Sequence, residues 1–126
     1  MKYVLVTGAY GGMGRKAVEV LRKQGFGVFA LDRNVGDSEE NVIPLRVDIT
    51  DAESVKDAAQ EVEKVTDELY AIVHYAGIYM LDSLAEMDSE SFERIFKVNL
   101  FGAFIINKIF LPFLRKGSKI VITTSE

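Results

Sequence analysis

The chain has 126 residues, no cysteine, one histidine and a formal net charge of −4, so its length corresponds to one domain at most. Without cysteine there is neither a disulfide scaffold nor a thiolate metal site, and a single histidine argues against a multi-histidine centre, so we predict no metal site. The mildly acidic balance argues against a nucleic acid partner, because phosphate neutralisation supplies most of that affinity.

Short apolar runs alternate with helical patterns along the chain, which is the order expected of a parallel sheet with crossover helices. The predicted elements are strands over 3–7, 28–32, 42–48, 69–75 and 120–124, and helices over 14–24, over about fifteen residues from 50, and from 88 or 89 to 112. They predict one doubly wound, Rossmann-like α/β domain over residues 1–126. Its five parallel strands have the order 3-2-1-4-5, and it is truncated after strand 5.

Local signals refine these elements. Gly25 suits the left-handed position that closes a helix, and Pro44 marks the third strand as an edge strand. Thr50 and Glu53 fit a capping box at the start of the second helix. The apolar face of that helix is formed by Val55, Ala58, Ala59, Val62 and Val65.

The amino-terminal apolar run is too short for a signal peptide, so we expect a cytoplasmic protein.

Glycines cluster between the first strand and the first helix, in the run Thr7-Gly8-Ala9-Tyr10-Gly11-Gly12-Met13-Gly14. A glycine-rich turn in this context is typical of dinucleotide binding. Glycine lets backbone amides approach a pyrophosphate, and the helix N-terminus adds unpaired donors. A plain strand-to-helix turn is the alternative interpretation, but one glycine would be enough for it.

Asp32 ends the second predicted strand, eighteen residues after Gly14. A carboxylate at this position accepts hydrogen bonds from the hydroxyls of a ribose. Residues 32–41 carry one positive charge, on Arg33, and four negative charges, which would repel a 2′-phosphate. We therefore expect NAD as the cofactor, with NADP the less favoured alternative. A solvated acid at a strand end is the other interpretation of Asp32.

The order of these motifs resembles the short-chain dehydrogenase/reductase family over the whole chain. The family's Thr-Gly-x-x-x-Gly-x-Gly fingerprint is matched from Thr7 to Gly14, and its adenine-contacting aspartate is matched by Asp48. Its Asn-Asn-Ala-Gly turn stands here as His74-Tyr75-Ala76-Gly77, so only the second half matches. The motifs and this resemblance together predict the following cofactor-binding residues: Thr7, Gly8, Tyr10, Gly11, Gly12, Met13, Gly14, Asp32, Arg33, Asp48, Ile49, Ala76 and Gly77.

The same resemblance implies two catalytic residues. Asn99 in the long helix is similar to the asparagine that kinks this helix and supports the proton relay, with a buried structural amide as the alternative. Ser125, at the end of the fifth strand, is similar to the serine that hydrogen-bonds the substrate oxygen. Thr124 competes with it in register, because strand boundaries are uncertain by a few residues. His74 invites a general-base role, but its place in a buried strand favours a structural one.

Hydride transfer also needs a proton partner, which the resemblance assigns to a tyrosine four residues before a lysine. None of the five tyrosines has a lysine at that spacing. We therefore interpret the chain as the amino-terminal, cofactor-binding half of an NAD(P)-dependent oxidoreductase acting on alcohol or carbonyl substrates, inactive alone. A non-catalytic NAD(H)-binding module is the alternative. A phosphoacceptor signalling domain would need acidic residues after the first strand, and none stands there.

The long helix is apolar nearly all round, and the fifth strand is an exposed edge. We therefore predict a homo-oligomer formed through the 89–112 helix or through the strand 5 edge. Asn99, Asn107 and Lys108 interrupt the apolar helix, which argues against a membrane span.

Overall fold

A computed structural model of the chain describes residues 1–77 and 85–122. The elements in chain order are β1 Tyr3–Thr7, α1 Gly12–Lys23, β2 Gly27–Asp32, β3 Val42–Arg46, α2 Ala52–Glu63, β4 Leu69–His74, α3 Ser89–Phe96, a π-helical segment Lys97–Phe101, α4 Gly102–Phe110, a 3₁₀ turn Leu111–Phe113, and β5 Leu114–Ile122.

The five strands form one parallel sheet in the order β3-β2-β1-β4-β5, which confirms the predicted fold class and strand order. Pro44 lies in β3, at the edge of the described sheet, as its missing amide hydrogen predicts. The ladders of β3 and β4 end at Arg46 and His74, slightly before the predicted ends. The next amides still bond to the neighbouring strands, since Val47 donates to the Asp32 carbonyl and Tyr75 to the Thr7 carbonyl.

Apolar clusters cover both faces of the sheet, as parallel strands require. On one face, α2 and α4 pack over side chains that include Leu5, Phe29 and Ile72. On the other face, Val18 of α1 packs over side chains that include Val6. The sheet thereby holds the ends of its strands rigidly, and the site lies at those ends.

Helix α1 begins at Gly12, two residues before the predicted start. The extended backbone of Gly11 caps it, and the amide of Arg15 donates to the Gly11 carbonyl over 2.9 Å. The helix therefore uses two of the glycines that sequence reasoning assigned to the turn. At the other end Gly25 has a φ of +92° and its amide donates to Arg22, which confirms the predicted closing glycine.

The predicted capping box at α2 is wrong. Asp51 caps this helix, and its carboxylate accepts the amide of Glu53 over 3.0 Å. Thr50 precedes the cap, and its hydroxyl donates to the Asp48 carboxylate over 2.6 Å. The helix has twelve residues and ends at Glu63, so Val65 lies beyond its apolar face and is exposed.

The predicted long helix runs without a break from Ser89 to Phe113, with a π-helical segment in its middle. Asp88 caps it by accepting the amide of Ser91 over 2.7 Å. One side of α4 is buried, whereas the outer face exposes Phe92, Phe96, Leu100, Phe101 and Phe104. By length and composition alone this stretch is also sufficient to cross a membrane, a property shared by the core helices of soluble proteins.

Strand β5 begins at Leu114, six residues before the predicted start. The step from Leu69 to Ala71 in β4 is matched by the longer step from Leu114 to Lys119, so β5 contains an irregular segment. Within it, Ser118 donates to the Leu69 carbonyl over 2.8 Å. This bulge conceals the alternation by which a strand is recognised in sequence. The predicted continuation to Thr124 and the candidate catalytic Ser125 lie outside the described residues.

Candidate cofactor-binding site

The carboxyl ends of β1, β2 and β4 meet at one edge of the sheet, where the strand order reverses. β1 pairs with β2 on one side and β4 on the other, so Thr7 lies beside both Leu31 and His74. In open parallel sheets a crevice forms at such a reversal, and ligands bind there. The glycine turn, Asp32 and the Ala76-Gly77 turn all adjoin this edge.

The turn between β1 and α1 presents an open helix N-terminus. No side chain caps α1 among the described residues, so the amides of its first turn point towards open space. A Cβ built on Gly12 meets nothing within 4 Å, and Met13 is 64% exposed. An uncapped N-terminus with room beside it fits the pyrophosphate of a dinucleotide, since both the amides and the helix dipole attract an anion.

Two other glycines of the same turn have a structural role. Gly8 has a φ of +64°, and a Cβ on it would lie 2.6 Å from the amide nitrogen of Ala76. A Cβ on Gly14 would overlap the carbonyl oxygen of Gly8. These two positions hold the turn against itself and against the residues after β4. The space beside Gly12, by contrast, is open.

Both carboxylate oxygens of Asp32 are fixed by backbone amides. Tyr10 donates its amide to Oδ2 over 2.9 Å, and Arg33 donates its amide to Oδ1 over 2.7 Å. The carboxylate stays partly exposed at the end of β2. It is thus oriented beside the glycine turn, with lone pairs left to accept ribose hydroxyls.

Asp48 and Ile49 lie in the wall of a second cavity, of about 410 Å³, next to the end of β3. Hydrogen bonds from the hydroxyl and amide of Thr50 lower the pKa of Asp48, and the nearby cations of Arg33 and Lys97 lower it further. Asp48 is therefore an anion at neutral pH. Apolar side chains of Ile49 and Val98 line the same cavity as this fixed carboxylate.

The turn after β4 is tied to the glycine turn. The hydroxyl of Thr7 accepts the Ala76 amide over 3.2 Å, and the carbonyl of Thr7 accepts the Tyr75 amide over 3.0 Å. Gly77 faces the long helix, because a Cβ on it would lie 3.1 Å from the Asn99 side-chain oxygen. Thr7 therefore joins the two halves of the predicted site.

Asn99 lies in the π-helical segment, where the backbone departs from the α-helical hydrogen-bond pattern. Single π turns of this kind are frequent at functional sites. Its side chain is exposed and directed at the Gly77 turn, so the interpretation as a buried structural amide is wrong. The predicted helix irregularity at this asparagine is thus present, whereas the predicted catalytic partner Ser125 lies outside the described residues.

Sequence reasoning missed the partner of His74. Its ring Nε2 lies 2.8 Å from the Asn107 side-chain oxygen, and the histidine is 5% exposed. Burial lowers the pKa of His74, although the bond to Asn107 opposes this. The pair joins β4 to α4, which fits the structural interpretation of His74. One signal for it was available in the sequence, namely an asparagine inside an otherwise apolar helix.

Among residues 1–77 and 85–122, no three His, Asp or Glu side chains come together as metal ligands.

A family model described as short chain dehydrogenase matches residues 2–126. The chain belongs to the short-chain dehydrogenase/reductase family.

Similar proteins support the assignment of the chain to this family. Estradiol 17-beta-dehydrogenase 2 of Mus musculus is 38% identical, with 99% of this chain and 36% of the relative covered. The Uncharacterized oxidoreductase YbbO of Escherichia coli K12 is 35% identical, with 99% of this chain and 49% of the relative covered. A solved glucose/ribitol dehydrogenase-type member from Brucella melitensis superposes with a TM-score of 0.91 at 26% identity, covering 98% of this chain and 56% of that chain. The chain thus spans about half or less of the length of these relatives.

Proposed function

We propose that this chain is the nicotinamide-dinucleotide-binding half of an oxidoreductase that acts on alcohol or carbonyl substrates. The observation that carries the proposal is the uncapped N-terminus of α1, with open space at Gly12 and the fixed carboxylate of Asp32 beside it. An anion-binding helix end next to a ribose acceptor is what a dinucleotide requires.

In this proposal each described residue group holds one part of the cofactor. The backbone from Gly11 to Met13 receives the pyrophosphate, and Asp32 receives the hydroxyls of the adenosine ribose. Asp48 and Ile49 receive the adenine, in the cavity that Arg33 also lines. Ala76 and Gly77 approach the nicotinamide side, because they follow β4 across the strand-order reversal.

We infer NAD rather than NADP as the cofactor. Asp32 already accepts two backbone amides and would repel a 2′-phosphate placed against it. The segment 32–41 adds three further carboxylates and only one cation, Arg33. Four carboxylates against one cation disfavour the extra phosphate.

Nicotinamide supplies hydride chemistry when bound, and the protein supplies the proton path. In our proposal Asn99 supports that path and Ser125 orients the substrate oxygen. The printed chain contains no tyrosine with a lysine four residues later. We therefore expect the 126-residue chain to bind the cofactor without turning over a substrate. The same observation favours the second candidate, a non-catalytic NAD(H)-binding module.

We further propose a cytoplasmic homo-oligomer, with neither nucleic acid nor a membrane as a partner. The outer face of the 89–112 helix and the β5 edge support association, because both expose large apolar side chains.

Calorimetric titration with NADH tests the proposal. The unmodified chain should bind NADH, and Gly12→Ala should weaken binding by about tenfold or more, since a methyl group would hold the pyrophosphate away from the backbone. Because nothing lies within 4 Å of a Cβ at this position, the variant should unfold at the same temperature as the unmodified chain. Equal NADH affinity in the two proteins would contradict the proposal. Turnover of a carbonyl substrate by the printed chain would contradict the expected inactivity.

A further inference from the structure

Tyr10 stands out because its backbone and its side chain contact different parts of the proposed ribose site. Its amide donates to the Asp32 carboxylate over 2.9 Å. Its ring lies in the wall of a polar cavity of about 470 Å³ between α1 and the segment that follows β2. Among the residues between Gly8 and Gly14, only Tyr10 and the exposed Met13 carry a side chain larger than that of alanine.

The ring of Tyr10 supports the segment after β2. A Cβ on Gly36 would lie 3.0 Å from Cε1 of this ring, so the two are in close contact. The hydroxyl is buried against the backbone of Gly36 without a hydrogen bond of good geometry. Burial raises the pKa of Tyr10, and the nearby carboxylates of Glu39 and Asp32 raise it further. The contact is thus one of shape and packing, made by the ring itself.

The cavity behind Tyr10 carries charges of both signs. Arg15 and Arg22 line it from α1, together with Glu19. Asp37 and Glu39 line it from the segment that Tyr10 supports. The Tyr10 ring, these two carboxylates and the cation of Arg15 thus line one cavity.

We propose that Tyr10 is a positioning residue that sets the preference between NAD and NADP, by holding the 36–39 carboxylates near Asp32 and keeping Arg15 away from the ribose. This inference rests on the proposed function and adds a second determinant to the carboxylate of Asp32. Removing the ring would release the acidic segment and open the Arg15 side of the cavity towards a 2′-phosphate.

Three variants of the 126-residue chain distinguish the contribution of the Tyr10 ring from that of its hydroxyl and from that of its backbone amide. Tyr10→Phe keeps the ring, Tyr10→Ala removes it, and Gly36→Ala displaces it from the opposite side while leaving Tyr10 in place. The measurement is the dissociation constant for NADH and for NADPH by calorimetry, with circular dichroism and the unfolding temperature as folding controls.

We expect Tyr10→Phe to keep the preference for NADH within about twofold, since the hydroxyl has no well-formed partner. Tyr10→Ala should reduce the ratio of the two affinities by about fivefold to tenfold, and Gly36→Ala should shift it in the same direction by less. A purely structural role would weaken both nucleotides equally and leave the ratio unchanged, which would overturn the inference. Failure of the unmodified chain to bind either nucleotide would overturn the proposed function together with it.

Discussion

The glycines between β1 and α1 divide into two kinds once their surroundings are known. Gly8 and Gly14 touch backbone atoms so closely that no side chain fits, whereas Gly12 borders open space. The sequence alone does not show which of the four glycines are structural and which border open space. The contact between Gly14 and the Gly8 carbonyl, for example, depends on where α1 begins. The structural glycines should therefore respond to mutation in stability, and Gly12 in ligand affinity.

Gly14→Ala should lower the free energy of unfolding by about 1–3 kcal/mol, because the added methyl overlaps the Gly8 carbonyl and forces the turn to move. Urea denaturation followed by circular dichroism measures this change. Gly12→Ala is the matched control, since it adds the same methyl group to the same turn without a contact. Equal stability of the two variants would show that the close contact between Gly14 and the Gly8 carbonyl does not exclude a side chain at position 14.

Several residues assigned from sequence are brought together as expected, and their chemical roles stay predictions. Thr7 bonds to Ala76, Tyr10 to Asp32, and Asn99 faces Gly77. Motif spacing was sufficient to place these residues because each directly follows or lies within a regular element. The supporting contacts were not predictable, because the Tyr10 ring and the Thr50 hydroxyl select partners that only the folded chain brings near.

Among the elements, β4 and α4 are joined by a polar pair, the buried His74 and the half-buried Asn107. A buried polar group without a partner is costly, so each side chain depends on the other. The bond also holds the end of β4, from which the Ala76-Gly77 turn departs.

The pair predicts a pH dependence of stability. Burial lowers the pKa of His74 below its usual 6.5, so between this value and the folded pKa the unfolded chain takes up a proton that the folded chain does not. The free energy of unfolding should therefore fall as the pH drops from about 7 towards the folded pKa of His74. Urea denaturation at several pH values measures this slope.

His74 is the only histidine, so one substitution isolates its contribution. His74→Gln should flatten the slope above about pH 5.5, where carboxylates contribute little. Asn107→Leu should lower the free energy of unfolding by about 1–3 kcal/mol at neutral pH, because His74 loses its partner. An unchanged slope in His74→Gln would assign the pH dependence to other groups.

Element boundaries differ from prediction where a local bond competes with the expected one. Asp51 caps α2 in place of Thr50, and the Thr50 side chain bonds to Asp48. Strand β5 starts early because Ser118 bridges Arg115 and the Leu69 carbonyl across a bulge. These hydrogen bonds depend on residues that are distant in sequence or on the local backbone geometry, and neither can be derived from the amino-acid composition of a segment.

At the scale of the whole molecule, the described residues leave two apolar surfaces uncovered. One is the outer face of the long helix, which carries Phe92, Phe96 and Phe104, and the other is β5 with Ile120 and Ile122. A small domain rarely exposes apolar groups this densely unless they are covered by more protein. The chain spans about half the length of several family relatives. Both surfaces are candidates for association.

Phe96→Glu should dissociate a homo-oligomer formed through the helix, weakening association by about 2–5 kcal/mol because a charge would be buried without a partner. Val121→Lys tests the β5 edge in the same way, and Val20→Glu on α1 is a control with a similarly exposed apolar residue. Sedimentation velocity over a range of concentrations gives the oligomeric state. A monomeric unmodified chain at high concentration would contradict the prediction.

The sequence by itself determined the parallel α/β class and the family, because short apolar runs between helical patterns and a glycine fingerprint are local patterns. The strand order followed from the order that a doubly wound domain adopts. Only the tertiary structure decided which glycines bear contacts, that Tyr10 connects Asp32 to Gly36, and that His74 meets Asn107. These features join residues that are distant in sequence, and their partners are selected by packing. Packing is a property of the assembled sheet and helices that no local pattern contains.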